Sequence, residues 1–464
     1  MAGRPVPSGA VLTVRSPFHG GAVGTVVQAT REDTLAAVEA ALAFRDTPTR
    51  YQRADILEKT RAALETRREE FAVTIASEAG LALREARYEV GRTVDVLRFA
   101  TMEALRDDGQ IFSGDISAQG RARKIFTTRE PLRAAVAITP FNHPLNQVAH
   151  KVGPAIAAGT PLLLKPSEKT PLSALKFASL LYQAGLPGPM LSVLLGPTPD
   201  VAERLVGHPE VELVAFTGSV SVGKRIAATA GYKKLVLELG GNDPLIVLDD
   251  ADLDLAVALA AEGSYRNSGQ RCTAVKRLLV QQGIAPEFTR RLVEKTREYV
   301  CGDPLEEKTR VGTVIDEAAA VYLETVLNEA AAAGARILIG GRRRGALLEP
   351  TVIADVPRDC RMVVSESFGP LAPVLVVRDL DDALALANST AYGLSSGVVT
   401  THLDSALKAI RTLRCGTVNI NEVPGYRVEC SPFGGIKDSG LGVKEGVIEA
   451  IKAYSYVKTF SLPW

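Results

Sequence analysis

The chain has 464 residues, of which 46% are hydrophobic and 23% charged, which is enough apolar material for a large core and a length that suits two or three domains. Its formal net charge is +1 with acidic and basic residues interspersed, so neither nucleic acid nor an anionic membrane is expected as a partner, and any bound anion must be met locally. The N-terminus "MAGRPVPSGAVLTVRSP" has no signal-like apolar run, and no stretch approaches the roughly 18 apolar residues that span a bilayer, so a cytoplasmic location is expected.

In chain order, Arg31 to Leu105 reads as amphipathic helices, with apolar residues recurring at three and four positions through "LAAVEAALAF", "ILEKTRAALETRREEFAVTIASEAG" and "EVGRTVDVLRFATMEAL". From Leu132 to Leu239, short β-rich runs ("RAAVAITPF", "TPLLLKPS", "LSVLLG", "ELVAFTG", "KKLVLELGG") alternate with helical ones, the pattern of βαβ units on a parallel sheet. A second α/β alternation begins after Asp252 with a predicted helix "LDLAVALAAEGSYRNSG" and a strand "VKRLLVQQ". Helices "PEFTRRLVEKTREYV" and "EAAAVYLETVLNEAAAAG", strands near "ARILIGG" and "APVLVVRD", and helix "LDDALALANST" follow. The expected division is 1–112 with 133–240 as a dinucleotide-binding domain to which 433–452 returns, 241–432 as a catalytic domain, and 113–132 with 453–464 as strands that join a neighbouring subunit.

The five cysteines, Cys272, Cys301, Cys360, Cys415 and Cys430, are odd in number and lack close pairing, which argues against a disulfide scaffold or a thiolate zinc site. The five histidines are equally scattered, and no metal is expected. Cys272, in "NSGQRCTAVKR", follows Arg271, and two readings stay open: a packing thiol beside a cation, or a nucleophile whose thiolate the cation favours. Glu238 lies between leucines in "VLELGG", where a carboxylate is costly unless it is bonded to backbone or serves as a base with a raised pKa. "GSVSVG" is a glycine-rich turn entering a helix, suited to a pyrophosphate or simply a tight strand-to-helix turn. Lys165 and Glu168 in "KPSEKTP" follow a buried strand and read as a ligand loop or as a solvated turn.

Taken together, "ITPFNHP", "KPSEKTP", "FTGSVSVGK", "LELGGNDP", "NSGQRCTA", "SESFGP" and "SPFGGIKDSGLG" resemble the aldehyde dehydrogenase superfamily in order and spacing, including the 34 positions from Glu238 to Cys272. The resemblance implies an α/β fold with a Rossmann-type cofactor domain, an α/β catalytic domain and a small β oligomerisation arm. It further implies NAD as cofactor and a homodimer or homotetramer. In that family pattern Cys272 is the nucleophile, Asn142 an oxyanion donor with the Cys272 N–H, and Glu238 the base that activates water. NAD contacts fall on Thr139, Pro140, Phe141, Lys165, Ser167, Glu168, Phe216, Gly218, Ser219, Val222, Leu239, Gly240, Glu366 and Phe368. A carboxylate at Glu168 accepts a ribose diol and repels a 2′-phosphate, which favours NAD over NADP.

Phe141, His143 and Ser365 depart from the residues most common in the family at those places. Arg92, His143, Arg271 and Arg427 fall where relatives line the substrate funnel, and guanidinium groups make bidentate bonds to phosphonate, phosphate and carboxylate oxygens. An alternative for Arg92 is a surface ion pair with Glu89 or Asp95. The combination, with "ITPFNHPLN" and "GYRVE", is similar to the branch that oxidises phosphonoacetaldehyde to phosphonoacetate, so a small anionic aldehyde is the expected substrate. Branches acting on glyceraldehyde 3-phosphate or lactaldehyde share "ITPFN" and "PLN", a coenzyme A-acylating relative remains conceivable, and a silent scaffold is the non-enzymatic alternative.

Overall fold

The computed structural model describes residues 1–6 and 9–464. Two parallel-type sheets dominate it. The first has five strands in the order Leu191–Val193, Leu162–Lys165, Ala135–Ile138, Leu213–Thr217, Lys234–Glu238, all parallel. Its central strands are "AVAI", "LLLK" and "LVAFT", nearly continuous apolar runs, as a sheet buried on both faces requires. Helices Arg50–Thr66, Arg68–Ala79, Leu83–Ala104 and Asn146–Ala158 pack Leu57, Phe71, Leu97 and Val152 into the core on one side, and Arg31–Ala43 covers the other with Ala37 and Val38. Helix Val447–Ala453 sends Val447 and Ala450 into the same core, so the chain returns to this unit near its end.

The second sheet has seven strands, in the order Arg336–Ile339, Thr351–Ala354, Leu371–Val377, Arg277–Gln281, Pro244–Val247, Ser395–Val399, Thr417–Ile420. Only the first of these pairs antiparallel to its neighbour. Strands Pro244–Val247, Thr351–Ala354, Ser395–Val399 and Thr417–Ile420 have only four or five residues, too short for the sequence pattern to announce them. A third, antiparallel sheet joins Ser455–Pro463 and Ile111–Ser113 to Arg123–Pro131. An N-terminal hairpin, Val11–Arg15 with Ala22–Val27, also carries no clear sequence signal.

One expected element ends early, and the difference matters for the site. The helix anticipated through Gly269 runs only from Leu253 to Tyr265, with Asp252 capping its N-terminus through bonds from the Asp254 and Leu255 amides. Beyond it, Asn267 and Ser268 adopt left-handed backbone at φ 53° and 54°, followed by Gly269 at φ 70°. A β-carbon on Gly269 would lie 2.0 Å from the Gly369 carbonyl oxygen, so only glycine lets the chain make this turn. The strained turn swings residues 270–275 off the helix axis.

Candidate active site

The order of the first sheet reverses beside its middle strand: after Ala135–Ile138 the chain steps outward twice, then crosses back to Leu213–Thr217 on the other side. Ligands of open parallel sheets bind outside the carboxyl ends at such a reversal. Here those ends lead into Thr139, Lys165, Gly218 and Leu239.

A cavity of about 450 Å³ opens there, walled by Ile138, Ala202, Val206, Val222 and Ile226, with Lys165 and Arg225 as its cations. The Lys165 ammonium meets Glu168 Oε1 at 2.5 Å. Ser219 caps helix Val220–Ala230, its hydroxyl accepting the Val222 amide at 3.4 Å, and Gly218 donates to the Glu238 carbonyl at 3.0 Å. Ser167 Oγ takes the Lys169 amide, and Thr139 donates its N–H to the Lys165 carbonyl. Phe216 lies buried, and Leu239 fills the space that a side chain at Gly223 would occupy. Gly240 is equally constrained, for a β-carbon there would stand 2.3 Å from Glu366 Oε2. Phe141 meets Phe368 edge-on with centroids 6.0 Å apart, next to Pro140 in the chain. The buried hydroxyls of Thr139 and Thr217 have no partner among the described residues. An apolar slot, an open helix N-terminus, a lysine–carboxylate pair and orphaned hydroxyls fit a dinucleotide.

A second cavity, of about 270 Å³, holds Cys272. Arg92, His143, Arg271 and Arg427 line it with Tyr88, Gln147, Arg266 and Phe433, so the four basic residues singled out in the sequence share one chamber with the thiol. Their partners differ. Arg92 Nε donates to the buried Glu429, which also accepts His150 Nε2 at 2.6 Å. Arg266 pairs with Glu85 at 2.7 Å and lies 3.7 Å over the Tyr88 ring. Arg271 donates Nη2 to the Gly263 carbonyl at 2.9 Å, and its buried Nε has no partner. Arg427 stacks 4.0 Å over Phe433. Among the described residues, neither Arg271 nor Arg427 has a carboxylate within ion-pair distance. Burial lowers Arg271 to about 10, which leaves it a cation at neutral pH, and burial likewise lowers Arg427. His143 contacts Glu89 at 3.3 Å, and burial pushes it below its ordinary value, so it stands neutral. The expected alternative for Arg92, a surface pair with Glu89 or Asp95, is not what forms, because helix Leu83–Ala104 turns Glu89 inward to accept the Leu145 and Asn146 amides.

Burial pushes the Cys272 thiol up to about 11, and Lys276 and Arg427 are the cations that oppose the rise. The sequence reading assigns that role to Arg271; its guanidinium instead turns toward the carbonyl end of helix Leu253–Tyr265, where it is held by the Glu262 and Gly263 carbonyls. Asn142 Nδ2 donates to the Gln270 carbonyl at 2.7 Å, which sets its amide beside the loop that carries Cys272. The Cys272 N–H has no acceptor among the described residues.

Glu238, at the end of its strand, is buried with both carboxylate oxygens unpartnered, and desolvation raises it to about 8 against the pull of Lys151, Arg427 and Lys444. The backbone-bonded alternative is represented only by the Gly435 N–H, whose weak contact lowers the carboxylate less than burial raises it. A side chain at Gly434 would collide with the Glu238 carboxylate at 2.5 Å, so this glycine keeps room beside it. Lys151, in helix Asn146–Ala158, forms a buried ion pair with Glu445. The sequence pattern does not single out Lys151, Lys276, Arg266, Arg225 or Glu429. A lone lysine inside "VAHKVGPAIAA" and two cations heading the apolar strand of "TAVKRLLV" are the signals that could have found the first two.

Residues 6–460 match the model of the aldehyde dehydrogenase family, and the chain belongs to that family of oxidoreductases acting on aldehydes. It is 40% identical over 425 residues to a 3-sulfolactaldehyde dehydrogenase of Priestia megaterium, covering 91% of this chain and 89% of that one. It is 38% identical over 432 residues to a sulfoacetaldehyde dehydrogenase of Neptuniibacter caesariensis, covering 93% and 94%. Among solved structures, an NADP-dependent glyceraldehyde-3-phosphate dehydrogenase from Bacillus halodurans, complexed with NADP, superposes with a TM-score of 0.96 at 33% identity, covering 100% of this chain and 98% of that one. The α/β architecture implied by the sequence resemblance is thus the fold observed. No helix of the described residues is long and apolar enough to cross a membrane.

Proposed function

We propose that the protein oxidises a small anionic aldehyde, phosphonoacetaldehyde first among candidates, to the carboxylic acid with NAD. The observation that carries this reading is the pair Arg271 and Arg427, two guanidinium groups with no carboxylate partner in the chamber that holds Cys272. Two guanidinium groups without a direct ion pair are best satisfied by two negative charges on one tetrahedral head, and each charge-assisted bond contributes about 1.5–3 kcal/mol. The Cys272 thiolate attacks the carbonyl carbon. The oxyanion so formed rests on the second N–H of the Asn142 amide and on the free Cys272 N–H. Lys165, Glu168, Ser219 and Glu366 would hold a nicotinamide dinucleotide, which would supply a hydride acceptor for the thiohemiacetal formed on Cys272. Glu238 then takes a proton from the water that hydrolyses the Cys272 thioester, and the Lys151–Glu445 pair beside it offers that proton an onward path. Glu168 favours NAD over the 2′-phosphorylated cofactor.

A second reading, a sulfonate-bearing aldehyde, is favoured by the names of the two relatives. A sulfonate presents the same three oxygens with one charge fewer. Steady-state kcat/KM for phosphonoacetaldehyde, sulfoacetaldehyde and propanal, read as NADH absorbance, separates them. The dianion reading requires the order phosphonate, sulfonate, neutral. A faster sulfonate supports the second reading, and a neutral aldehyde as good as either ends both.

The antiparallel sheet near the C-terminus exposes Ile111, Phe112, Tyr456, Val457, Phe460 and Leu462, and through it we propose a homodimer or homotetramer. Light scattering of the protein with and without residues 453–464 tests this.

A further inference from the structure

Two consecutive cations, Lys276 and Arg277, head the central strand of the second sheet and are both almost fully buried. A buried charge is expensive unless its hydrogen bonds are met. Arg277 meets them away from the chemistry, on the carbonyls of Asn242, Leu386 and Ala387 at 2.8–3.0 Å, where it closes the end of helix Leu380–Asn388. Lys276 does not. Its ammonium donates to the carbonyls of Arg271 and Cys272, each at 2.7 Å, and pairs with Glu366 Oε1 at 3.3 Å. That same oxygen takes the Gly241 amide at 3.1 Å, while Oε2 points at Gly240.

We infer that Lys276 is a positioning residue that ties the peptide of the nucleophile to the carboxylate on the cofactor side, so that Cys272 and Glu366 are held and charge-balanced as one unit. The inference rests on the proposed roles of Cys272 and Glu366. Holding the Cys272 carbonyl inward fixes the peptide whose N–H is left free on the other side of the loop. The charge matters separately. The groups that face the thiol are Lys276 and Arg427, which favour its ionisation, and Asp243 and Glu366, which oppose it. Arg271 neighbours it in sequence and couples to it weakly. Burial raises Asp243 to about 8 and raises Glu366 as well, and Lys276, which touches Glu366 Oε1, is the cation that offsets this carboxylate beside the thiol. Without Lys276, a thiolate and a carboxylate would share a dry site with no ammonium between them.

The test is alkylation of Cys272 by iodoacetamide in the free protein, followed peptide by peptide by mass spectrometry over about pH 6 to 10. Lys276→Met should move the alkylation profile at least about one pH unit toward alkali and slow the reaction near pH 8 about tenfold. Glu366→Gln should move it toward acid, and the double variant should return close to the parent. Two shifts of opposite sign cannot come from loosened packing. If Lys276→Met does not fold, Lys276→Arg, which keeps the charge, should hold the parental profile while Lys276→Gln loses it. A parental profile in Lys276→Met or Lys276→Gln, or single variants of Lys276 and Glu366 that move the same way, would overturn the inference. No aldehyde enters this measurement. Failure of the functional reading would show instead as aldehyde turnover surviving Cys272→Ala.

Discussion

Arg92 reaches the Cys272 chamber already neutralised by Glu429, which sits buried behind it and carries His150 on its second oxygen. Arg92 holds that carboxylate well below the usual range, and burial pushes His150 down to about 4, so His150 is a neutral donor and Arg92 is the cation of the pair. Removing one member of a buried pair strands the other, at about 3–5 kcal/mol. Arg92→Ala should therefore lower the thermal midpoint markedly. Arg271→Ala and Arg427→Ala, which remove cations that have no direct ion pair, should leave it within about 1 kcal/mol of the parent or raise it. Differential scanning calorimetry of the three variants checks the contrast; equal losses in all three would show that Arg92 is no more structural than the others.

The same division predicts substrate effects. Arg271→Ala and Arg427→Ala each remove a charge-assisted contact worth about 1.5–3 kcal/mol, a fall of roughly ten- to two-hundredfold in kcat/KM for an anionic aldehyde. For propanal, which has nothing to offer a guanidinium, the change should stay within about threefold. Kinetics with both substrates read the ratio directly. A parallel fall for both aldehydes would mean that these arginines shape the nucleophile loop instead of reading charge.

How much of this was legible in the sequence depended on whether a residue's role is set locally. Strands of the first sheet and the turn at Ser219 follow from apolar runs and glycine spacing, and the basic residues that line the chamber are visible as departures from an apolar funnel. What each arginine does there is not visible. Arg92 and Arg427 differ because Glu429, 337 positions from Arg92, bonds the first directly and acts on the second only from beyond ion-pair distance. Lys276 and Lys151 gain their meaning from Glu366 and Glu445, again distant in the chain. The helix expected through Gly269 ends at Tyr265, and the left-handed turn after it runs so close to the backbone of Gly369, a hundred positions away in the sequence, that position 269 has room only for glycine. Periodicity reports propensity; it carries no record of long-range crowding.

The proposed preference for NAD rests on Glu168. Its carboxylate stands 2.5 Å from the Lys165 ammonium and neutralises it, leaving a site suited to an uncharged ribose edge. Glu168→Gln keeps the shape, frees the ammonium and removes the repulsion of a 2′-phosphate, while Arg225 on the facing wall supplies a second cation. The ratio of kcat/KM for NAD over NADP should fall at least about tenfold in Glu168→Gln, and adding Arg225→Ala should restore part of it. The effect on NADP should weaken as salt is raised. An unchanged ratio would place the adenosine ribose elsewhere.

The buried Glu238 carboxylate acts on rate and stability together as pH changes. Desolvation raises it to about 8 in the folded protein, against an ordinary value of 4.5, so between these limits the native state binds a proton that the unfolded chain has released. Stability from this group is therefore greatest below about pH 4.5 and falls as pH rises toward 8, whereas its strength as a base grows over the same rise. Thioester hydrolysis should climb with pH and reach half its plateau near 8. Glu238→Gln should retain a first-turnover burst of NADH, lose steady-state turnover by about 10²- to 10⁴-fold, and accumulate the acylated Cys272, visible by mass spectrometry. The same variant should melt higher than the parent at pH 8, with the gap closing as pH is lowered toward 5. A rate profile flat from pH 6 to 9 would mean that another group takes the proton from water.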